Sequence, residues 1–333
     1  MLPSFGTLFG EPIPAYFVLL MLGFAAATFV ASRMAKRRAL DPEVIVDLAL
    51  LSLVMGVVGA RVLHVLADGY FWDYVHLCTE PDRVIWHSVT SLQECQQLGG
   101  RWEGSCHAVT RDCFAWAEFW NGGLAYYGGL LLASITGIAF LRREGFPLGT
   151  GVDLVGAVLP IGLLFGRLGC FLGGCCFGLP TESLFAVSFP GGSPASYEQA
   201  EAGLLRDKWL PSLPVHPTQL YEAVGCLVIA AWLLARVLPR RRFDGQVMLA
   251  FLSAYAVLRF GIELVRADDR GVFFGLSTSQ WIGLFVLAGC ALVVRPLARR
   301  GLASAAAGRD GRDQGGQAEP AAGDDALSGA RAP

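Results

Sequence analysis

Long apolar runs, separated by shorter polar segments, dominate the pattern of this chain. A helix that spans the hydrocarbon core of a membrane needs roughly 17–25 predominantly apolar residues, and seven runs approach or reach that length. The pattern therefore predicts an all-α membrane protein with seven transmembrane helices. The expected spans are residues 15–32, 44–66, 123–141, 151–172, 217–238, 246–265 and 280–296.

Basic residues follow alternate spans and so indicate the orientation. Short loops rich in arginine and lysine stay in the cytoplasm, and all four basic clusters fall on one side if every span crosses once. We therefore expect an outside N-terminus and a cytoplasmic C-terminus, with the first run retained as a helix and not removed as a signal peptide. The clusters are Arg33 with Lys36, Arg37 and Arg38; Arg142 with Arg143; Arg236 with Arg240, Arg241 and Arg242; and Arg295 with Arg299 and Arg300.

Composition supports the membrane class. The chain is 54% hydrophobic and 16% charged, whereas soluble domains carry about a quarter charged residues. The net charge of -2 indicates no particular class of partner, and no nucleic-acid signature is present, so we expect no nucleic-acid partner.

Two segments are expected outside the cytoplasm. Residues 67–118 contain four cysteines, Cys78, Cys95, Cys106 and Cys113, which in an oxidising compartment predict two disulfides with three possible pairings. A zinc site is the competing interpretation, although no tight Cys-x-x-Cys pair is present.

The rest of the chain divides by composition. The second of the segments outside the cytoplasm, residues 173–216, is rich in glycine and proline and predicts a small head. The membrane domain as a whole is expected to cover residues 1–300. Residues 301–333 have almost no bulky apolar residues and predict a disordered cytoplasmic tail.

Ionisable residues inside spans are costly and are functional candidates by default. Arg167 precedes a glycine-broken, cysteine-rich stretch, and an arginine beside accessible backbone amides is suited to a phosphate or carboxylate; packing through small residues is the alternative. Arg61 lies near the end of the second span, where snorkelling to the interface would explain it equally well.

Two further stretches carry polar groups into the membrane. Tyr255, Arg259, Glu263 and Arg266 share one helical stripe with a surplus of positive charge, which favours an anionic partner such as a phospholipid headgroup over a self-satisfied ion pair. The segment from His216 to Glu222, "HPTQLYE", opens the fifth span, where a purely structural helix start is the alternative. The third span opens with "WNGGLAYYGG", residues 120–129, in which an aromatic belt is the ordinary interpretation.

Together these motifs resemble the prolipoprotein diacylglyceryl transferases. The family's Gly-Arg-Leu-Gly signature stands at residues 166–169, its His-Pro-Ser/Thr-Gln-Leu-Tyr-Glu box at 216–222, and its sixth-span stripe at 255–266. The resemblance runs from Tyr16 to about Trp281 and includes Arg61. It implies seven spans in the bacterial cytoplasmic (inner) membrane, a periplasmic N-terminus and a periplasmic head. It also implies transfer of a diacylglyceryl group from phosphatidylglycerol to the lipobox cysteine of prolipoproteins, with membrane lipids and prolipoprotein signal peptides as partners.

This sequence departs from the family pattern at polar positions. Tyr127 stands where the family usually has histidine, and Cys170 where it usually has asparagine. Gly173 and Cys175 replace a further asparagine and a glutamate. The general base therefore stays unassigned at this point.

The resemblance and the residues imply the following roles. Catalytic roles fall to Arg167, Arg259, Glu263 and Tyr127, and no cofactor or metal is expected. Substrate-binding roles fall to Tyr16, Arg61, Gly166, Gly169, Cys170, His216, Gln219, Tyr221, Glu222, Tyr255 and Arg266.

Two other functions stay open from the sequence. Cys175 and Cys176, or Cys170 with one of them, could form a labile disulfide in a membrane thiol oxidoreductase. A non-catalytic paralogue that binds phospholipid or lipoprotein is the third possibility. Within a transferase, the simplest role of these three cysteines is to fill space beside the lipid headgroup.

Overall fold

The computed structural model of the protein describes residues 4–8, 11–86, 92–97, 99–118, 123–267 and 271–315. This part of the chain is mainly helical, with three short antiparallel hairpins, each formed by consecutive strands. The elements in chain order are β1 (Ser4–Leu8), β2 (Glu11–Pro14), α1 (Ala15–Lys36), α2 (Pro42–Ala67), α3 (Phe71–Thr79), α4 (Leu92–Gln97), β3 (Arg101–Trp102), β4 (Cys106–His107), α5 (Tyr126–Arg143), α6 (Leu148–Gly173), α7 (Pro194–Glu201), α8 (Thr218–Trp232), α9 (Gln246–Glu263), β5 (Val272–Phe273), β6 (Leu276–Ser277) and α10 (Thr278–Gly315).

Within the described ranges, six helices are long and apolar enough to cross a membrane, which confirms the helical membrane-protein class. The run expected over residues 123–141 also forms a helix, α5, but that helix begins with two tyrosines and ends with Arg142 and Arg143. Its apolar part is therefore short for a membrane-spanning helix. The six spans are Ala15–Lys36, Pro42–Ala67, Leu148–Gly173, Thr218–Arg240, Gln246–Glu263 and Thr278–Arg299.

The chain forms two compact units. The first comprises residues 1–27 and 152–333, and the second comprises residues 28–151.

In the second unit, α2 and α5 pack through glycines. A Cβ atom at Gly128 would collide with the backbone carbonyl of Gly59, and one at Gly129 would lie 2.6 Å from the carbonyl oxygen of Gly56. Small residues at these positions let the two backbones approach closely, as in other membrane helix pairs.

The cysteine-rich loop of the second unit contains two disulfides. Cys78 pairs with Cys113, and Cys95 pairs with Cys106. Of the three pairings that the sequence leaves open, the structure selects this one, and it leaves no free thiols in the loop for the competing zinc site. Trp86 and Trp102 pack against the buried Cys95–Cys106 bridge.

In the first unit, the segment between α6 and α8 has its own small core. Phe177, Phe189, Ala195 and Val215 are buried together, and Phe171 at the end of α6 packs against them. The segment that the sequence predicts as a head therefore has an apolar cluster that holds it on the end of α6.

A buried carboxylate connects α6 to the start of α9. Asp153 is fully buried, and it accepts hydrogen bonds from the Arg241 side chain at 3.0 Å and from the backbone N–H of Val247 at 2.8 Å. It also accepts from the backbone N–H groups of Gly245 and Met248. Asp153 thus satisfies N–H groups that the first turn of α9 leaves without intrahelical partners.

The last helix extends beyond its expected end. α10 continues through residues 301–315. This segment is rich in alanine, the residue with the highest intrinsic helix propensity. Residues 316–333 lie outside the described residues, and the disordered tail expected over residues 301–333 stays a prediction.

Candidate active site

The end of α6 turns sharply into the cysteine-rich stretch. Gly174 has φ of 73° and Cys176 has φ of 63°, both in the left-handed region. The N–H of Cys175 donates to the carbonyl of Cys170 at 3.2 Å. Glycine adopts positive φ at little cost, whereas a cysteine there is uncommon.

Side chains from the start of α8 hold this turn. The Nε2 of Gln219 donates to the carbonyl of Cys175 at 2.7 Å, and the Thr218 hydroxyl donates to the carbonyl of Cys176 at 2.7 Å. Gln219 is almost fully buried, and its Oε1 has no hydrogen-bond partner among the described residues. The "HPTQLYE" segment therefore positions the turn and also presents a buried acceptor.

Gly178 connects the cysteine-rich turn to the residues before α8 and to the end of α9. Its N–H donates to the carbonyl of His216 at 2.9 Å, and it forms an isolated bridge with Arg266. A Cβ atom at Gly178 would lie 2.5 Å from the carbonyl oxygen of Val265 and 2.8 Å from the Cβ of His216. Only glycine allows the turn, the start of α8 and the end of α9 to meet here.

A buried carboxylate joins three helices of the first unit. Glu222 on α8 is 1% exposed, and its Oε1 lies 3.0 Å from Nε of Arg167 on α6. The same oxygen accepts a hydrogen bond from the hydroxyl of Tyr255 on α9 at 2.7 Å. The structure thus brings together three of the site residues that the sequence predicts.

The stripe on α9 contains a second ion pair. Nη2 of Arg259 lies 2.5 Å from Oε2 of Glu263. The Nη1 of Arg259 is buried and has no hydrogen-bond partner among the described residues. Arg266, also buried, lies just beyond the end of α9. Arg167 and Arg259 are thus each paired with a carboxylate on one of these helices.

Tyr16 packs on α6 through another glycine. A Cβ atom at Gly169 would lie 3.0 Å from Cδ2 of Tyr16, whereas one at Gly166 would meet open space. Nδ1 of His216 lies 3.2 Å from the hydroxyl of Tyr221. These residues surround the same end of α6 as Arg167, but their substrate-binding roles stay predictions.

Three free thiols converge at the turn. The Sγ atoms of Cys170, Cys175 and Cys176 all lie within 4.8 Å of one another. The pKa of the Cys176 thiol is lowered, mainly because the thiols of Cys170 and Cys175 donate hydrogen bonds to it, and nearby Arg266 adds to the effect. The pKa of the Cys175 thiol is raised, because its proton is shared with the other two thiols and it is partly buried.

In the second unit, Arg61 makes the contacts of a structural residue. Its guanidinium donates to the backbone carbonyls of Ala115 at 2.6 Å, Trp116 at 2.7 Å and Gly123 at 3.1 Å. It also borders an apolar pocket of about 580 Å³ between α2 and Trp116. A role for Arg61 in binding substrate stays a prediction.

Tyr127, also in the second unit, is 53% exposed, and its ring packs edge to face on Tyr126. Its catalytic role stays a prediction, and Trp120 lies outside the described residues.

This unit contains a second polar cluster that the sequence pattern did not reveal. Nδ1 of His64 lies 2.7 Å from Oδ2 of Asp68, and its Nε2 lies 3.3 Å from the hydroxyl of Tyr74. A carboxylate that orients an imidazole is typical of proton-transfer sites. The spacing of His64 and Asp68, four residues apart on one helix, was the available signal. Thr218 was likewise passed over as a site residue, because a threonine at a helix start has an ordinary capping explanation.

Comparison with known proteins shows where similar sequences occur. A family model described as prolipoprotein diacylglyceryl transferase matches residues 4–295. A protein from Clostridium tetani named phosphatidylglycerol--prolipoprotein diacylglyceryl transferase is 26% identical over 288 residues, which is 86% of this chain and 94% of that protein. A Rhizobium meliloti protein of the same name is 35% identical over 199 residues, covering 57% of this chain and 63% of that protein.

Proposed function

The chain belongs to the prolipoprotein diacylglyceryl transferase family, and we propose that it transfers the diacylglyceryl group of phosphatidylglycerol to the lipobox cysteine of exported prolipoproteins. The sulfur of that cysteine attacks the glycerol carbon that bears the phosphate ester. An S–C bond forms, the C–O bond breaks, and its electron pair leaves on the phosphate oxygen. The products are a thioether and glycerol phosphate, and the thiol proton leaves to solvent or to the phosphate.

The observation that carries this proposal is a buried guanidinium N–H of Arg259 that has no acceptor among the described residues. Arg167 and Arg259 are each paired with a carboxylate, at 3.0 Å and 2.5 Å. Nη1 of Arg259 nevertheless has a buried N–H that no described residue accepts. A phosphate diester would accept a hydrogen bond from this N–H. An arginine also stabilises the charge that builds on the leaving phosphate, without any change in its own protonation.

The remaining residues of the first unit would orient the reactants. Glu222 holds Arg167 and Tyr255 in place, and Glu263 holds Arg259. The buried Oε1 of Gln219 is an acceptor suited to a hydroxyl of the glycerol headgroup. The substrate at this end of α6 would contact the remaining candidates, which are Tyr16, Gly166, Gly169, Tyr221 and His216.

The membrane arrangement follows from the same activity. Exported prolipoproteins meet the enzyme from the periplasmic side, so we place the N-terminus, the 67–118 loop and the 173–216 head in the periplasm. The C-terminus and the basic clusters then lie in the cytoplasm, with α5 as the seventh crossing. The bacterial inner membrane is the expected location, and the disulfides of the loop agree with an oxidising compartment.

The experiment is direct transfer. Protein purified in detergent is incubated with phosphatidylglycerol and a peptide that contains a lipobox, and mass spectrometry then looks for the diacylglyceryl mass on the peptide cysteine. A peptide with serine in place of that cysteine is the control. Binding of both substrates with no mass added would show a non-catalytic paralogue and would contradict the proposal.

A further inference from the structure

The three thiols at the end of α6 form a cluster that the transfer chemistry described above does not use. Cys170, Cys175 and Cys176 are free, although four other cysteines of the chain are paired in disulfides. Their Sγ atoms lie within 4.8 Å of one another. In a tetrahedral zinc site with Zn–S bonds of about 2.3 Å, the sulfurs stand roughly 3.8 Å apart. Small rotations of the side chains would therefore close these thiols around an ion.

The backbone is shaped to bring the thiols together. Two adjacent residues, Cys175 and Cys176, point their sulfurs toward Cys170 because the chain reverses with positive φ at Gly174 and at Cys176. Left-handed φ at a residue with a side chain costs about 1–2 kcal/mol. Such strain persists only where surrounding contacts hold it, and it concentrates at functional sites. Gln219 and Thr218 provide these contacts through the carbonyls of Cys175 and Cys176.

The cluster has three members and not four. Among the described residues, no histidine or carboxylate joins the three thiols within 4.8 Å. Structural zinc sites are closed by four protein ligands, whereas catalytic zinc sites use three and leave one position open. The geometry therefore matches an open site.

We propose that Cys170, Cys175 and Cys176 bind Zn²⁺ as three thiolates and leave its fourth position for the sulfur of the incoming cysteine. The zinc site stands on the thiol geometry alone, while the identity of the fourth ligand rests on the proposed function. This assignment replaces both the space-filling role and the absence of metal that the sequence suggested.

The chemistry of such a site suits a sulfur nucleophile. A thiol that coordinates zinc loses its proton, here to solvent, and the bound thiolate keeps the electron pair that attacks the glycerol carbon. The C–O bond of the substrate breaks as the S–C bond forms, and no oxidation or reduction occurs. The thioether product carries no charge and is a weaker ligand than a thiolate, so it leaves the metal. Three thiolates and Zn²⁺ sum to one negative charge, and the guanidinium groups of Arg266 and Arg167 lie near enough to Cys176 to favour negative charge there.

The first test measures metal in the full-length protein. Protein purified in detergent without chelator is analysed by elemental mass spectrometry, and we expect about one zinc per chain. Cys170→Ser, Cys175→Ser and Cys176→Ser should each lose most of it. Cys290→Ala, which removes a buried free cysteine on α10, should keep the wild-type content and is the matched control. Zinc retained in all three serine variants would overturn the site.

The second test uses Co²⁺ in place of zinc, because sulfur-to-cobalt charge-transfer absorption grows with the number of bound thiolates. A lipobox peptide should increase this absorption, and the same peptide with serine should not. Failure to bind either metal in the reduced protein, preference for Cu⁺, or a disulfide among the three cysteines of freshly isolated protein would overturn the proposal.

The outcomes separate this inference from the proposed function. If zinc binds but the lipobox peptide does not increase the cobalt absorption, the metal site is supported. The proposal that the peptide cysteine takes the fourth position is then overturned. A full response without any diacylglyceryl transfer would support the metal site and contradict the transferase reaction instead.

Discussion

Nε of Arg167 lies 3.0 Å from Oε1 of Glu222, and that carboxylate is 1% exposed. The two residues are on different helices, and the Glu222 carboxylate has almost no contact with solvent, so it depends on Arg167 for its stabilisation. A buried pair of this kind is destabilised strongly when one partner is removed, by about 3–5 kcal/mol, because the other charge is left uncompensated.

We therefore expect Glu222→Ala to lower the thermal unfolding midpoint of the detergent-solubilised protein markedly. Glu222→Gln should lose less, because an amide oxygen still accepts the Tyr255 hydroxyl. Glu201→Ala, at an exposed position on α7, is the control and should leave the midpoint unchanged. Equal midpoints for Glu222→Ala and the control would show that the pair does not support the fold.

Removal of an arginine from the site should abolish transfer. Loss of one preorganised donor to a developing oxyanion costs about 10²–10³ in rate. The transfer rates of Arg259→Ala and Arg167→Ala in the peptide assay should therefore each fall by at least about 100-fold. Lysine should rescue poorly at both positions, because an ammonium lacks the planar fork of the guanidinium. Arg299→Ala, at the last residue of the membrane segment of α10, should keep normal activity. A fully active Arg259→Ala would refute the phosphate-binding role.

The two disulfides should be stabilising and not catalytic. Non-reducing peptide maps should yield the Cys78–Cys113 and Cys95–Cys106 crosslinks and no mixed pairing. Cys95→Ala should cost about 2–4 kcal/mol of unfolding free energy, while the transfer rate per folded molecule stays near that of the wild type. Rapid alkylation of all four cysteines before any reductant is added would contradict the assignment.

The α2–α5 contact should tolerate no side chain at its centre. Gly128→Ala places a methyl group against the backbone of Gly59, and overpacking of this kind costs about 1–3 kcal/mol. Gly56→Ala is the matched control on α2, because its Cβ would meet nothing within 4 Å. That variant should be neutral or more stable, by up to about 1 kcal/mol, since alanine favours the helix over glycine. Identical thermal midpoints for the two variants would argue against the close packing.

Arg61 should matter for stability before it matters for chemistry. Its three hydrogen bonds to backbone carbonyls are charge-assisted, and each is worth about 1.5–3 kcal/mol. Arg61→Ala should therefore lower the thermal midpoint, and Arg61→Lys should restore only part of it, because one ammonium cannot reach all three carbonyls. The exposed Arg83→Ala is the control. If Arg61→Ala is stable yet cannot bind phosphatidylglycerol, the substrate-binding role is the correct one.

The sequence predicted most of what depends on local pattern. The apolar runs located six spans, and the four-residue spacing of Tyr255, Arg259 and Glu263 placed them on one stripe of α9. These inferences succeed because a helix repeats every 3.6 residues, so spacing along the chain fixes the side of the helix on which a residue lies.

Contacts between residues that are distant along the chain could not be predicted from spacing. Glu222 is far from Arg167 along the chain, so nothing local identified the carboxylate as the partner of that arginine. The choice of Cys78 with Cys113 likewise depends on how α3 folds back on the loop. The positive φ of Cys176 was hidden because cysteine, unlike glycine, gives no sign of a left-handed turn.

Asp153 on α6 fixes the position of the first turn of α9. By holding the backbone N–H of Val247, it fixes both the height and the rotation of α9 against α6 at one end of that helix. Arg259 lies twelve residues further along, about 18 Å away at 1.5 Å per residue. A rigid helix pivoted at one end moves most at the other, so a small rotation at Val247 would move the guanidinium of Arg259 away from the phosphate position that we propose. Under the proposed function, the alignment of Arg259 thus depends on a carboxylate about 18 Å away along α9.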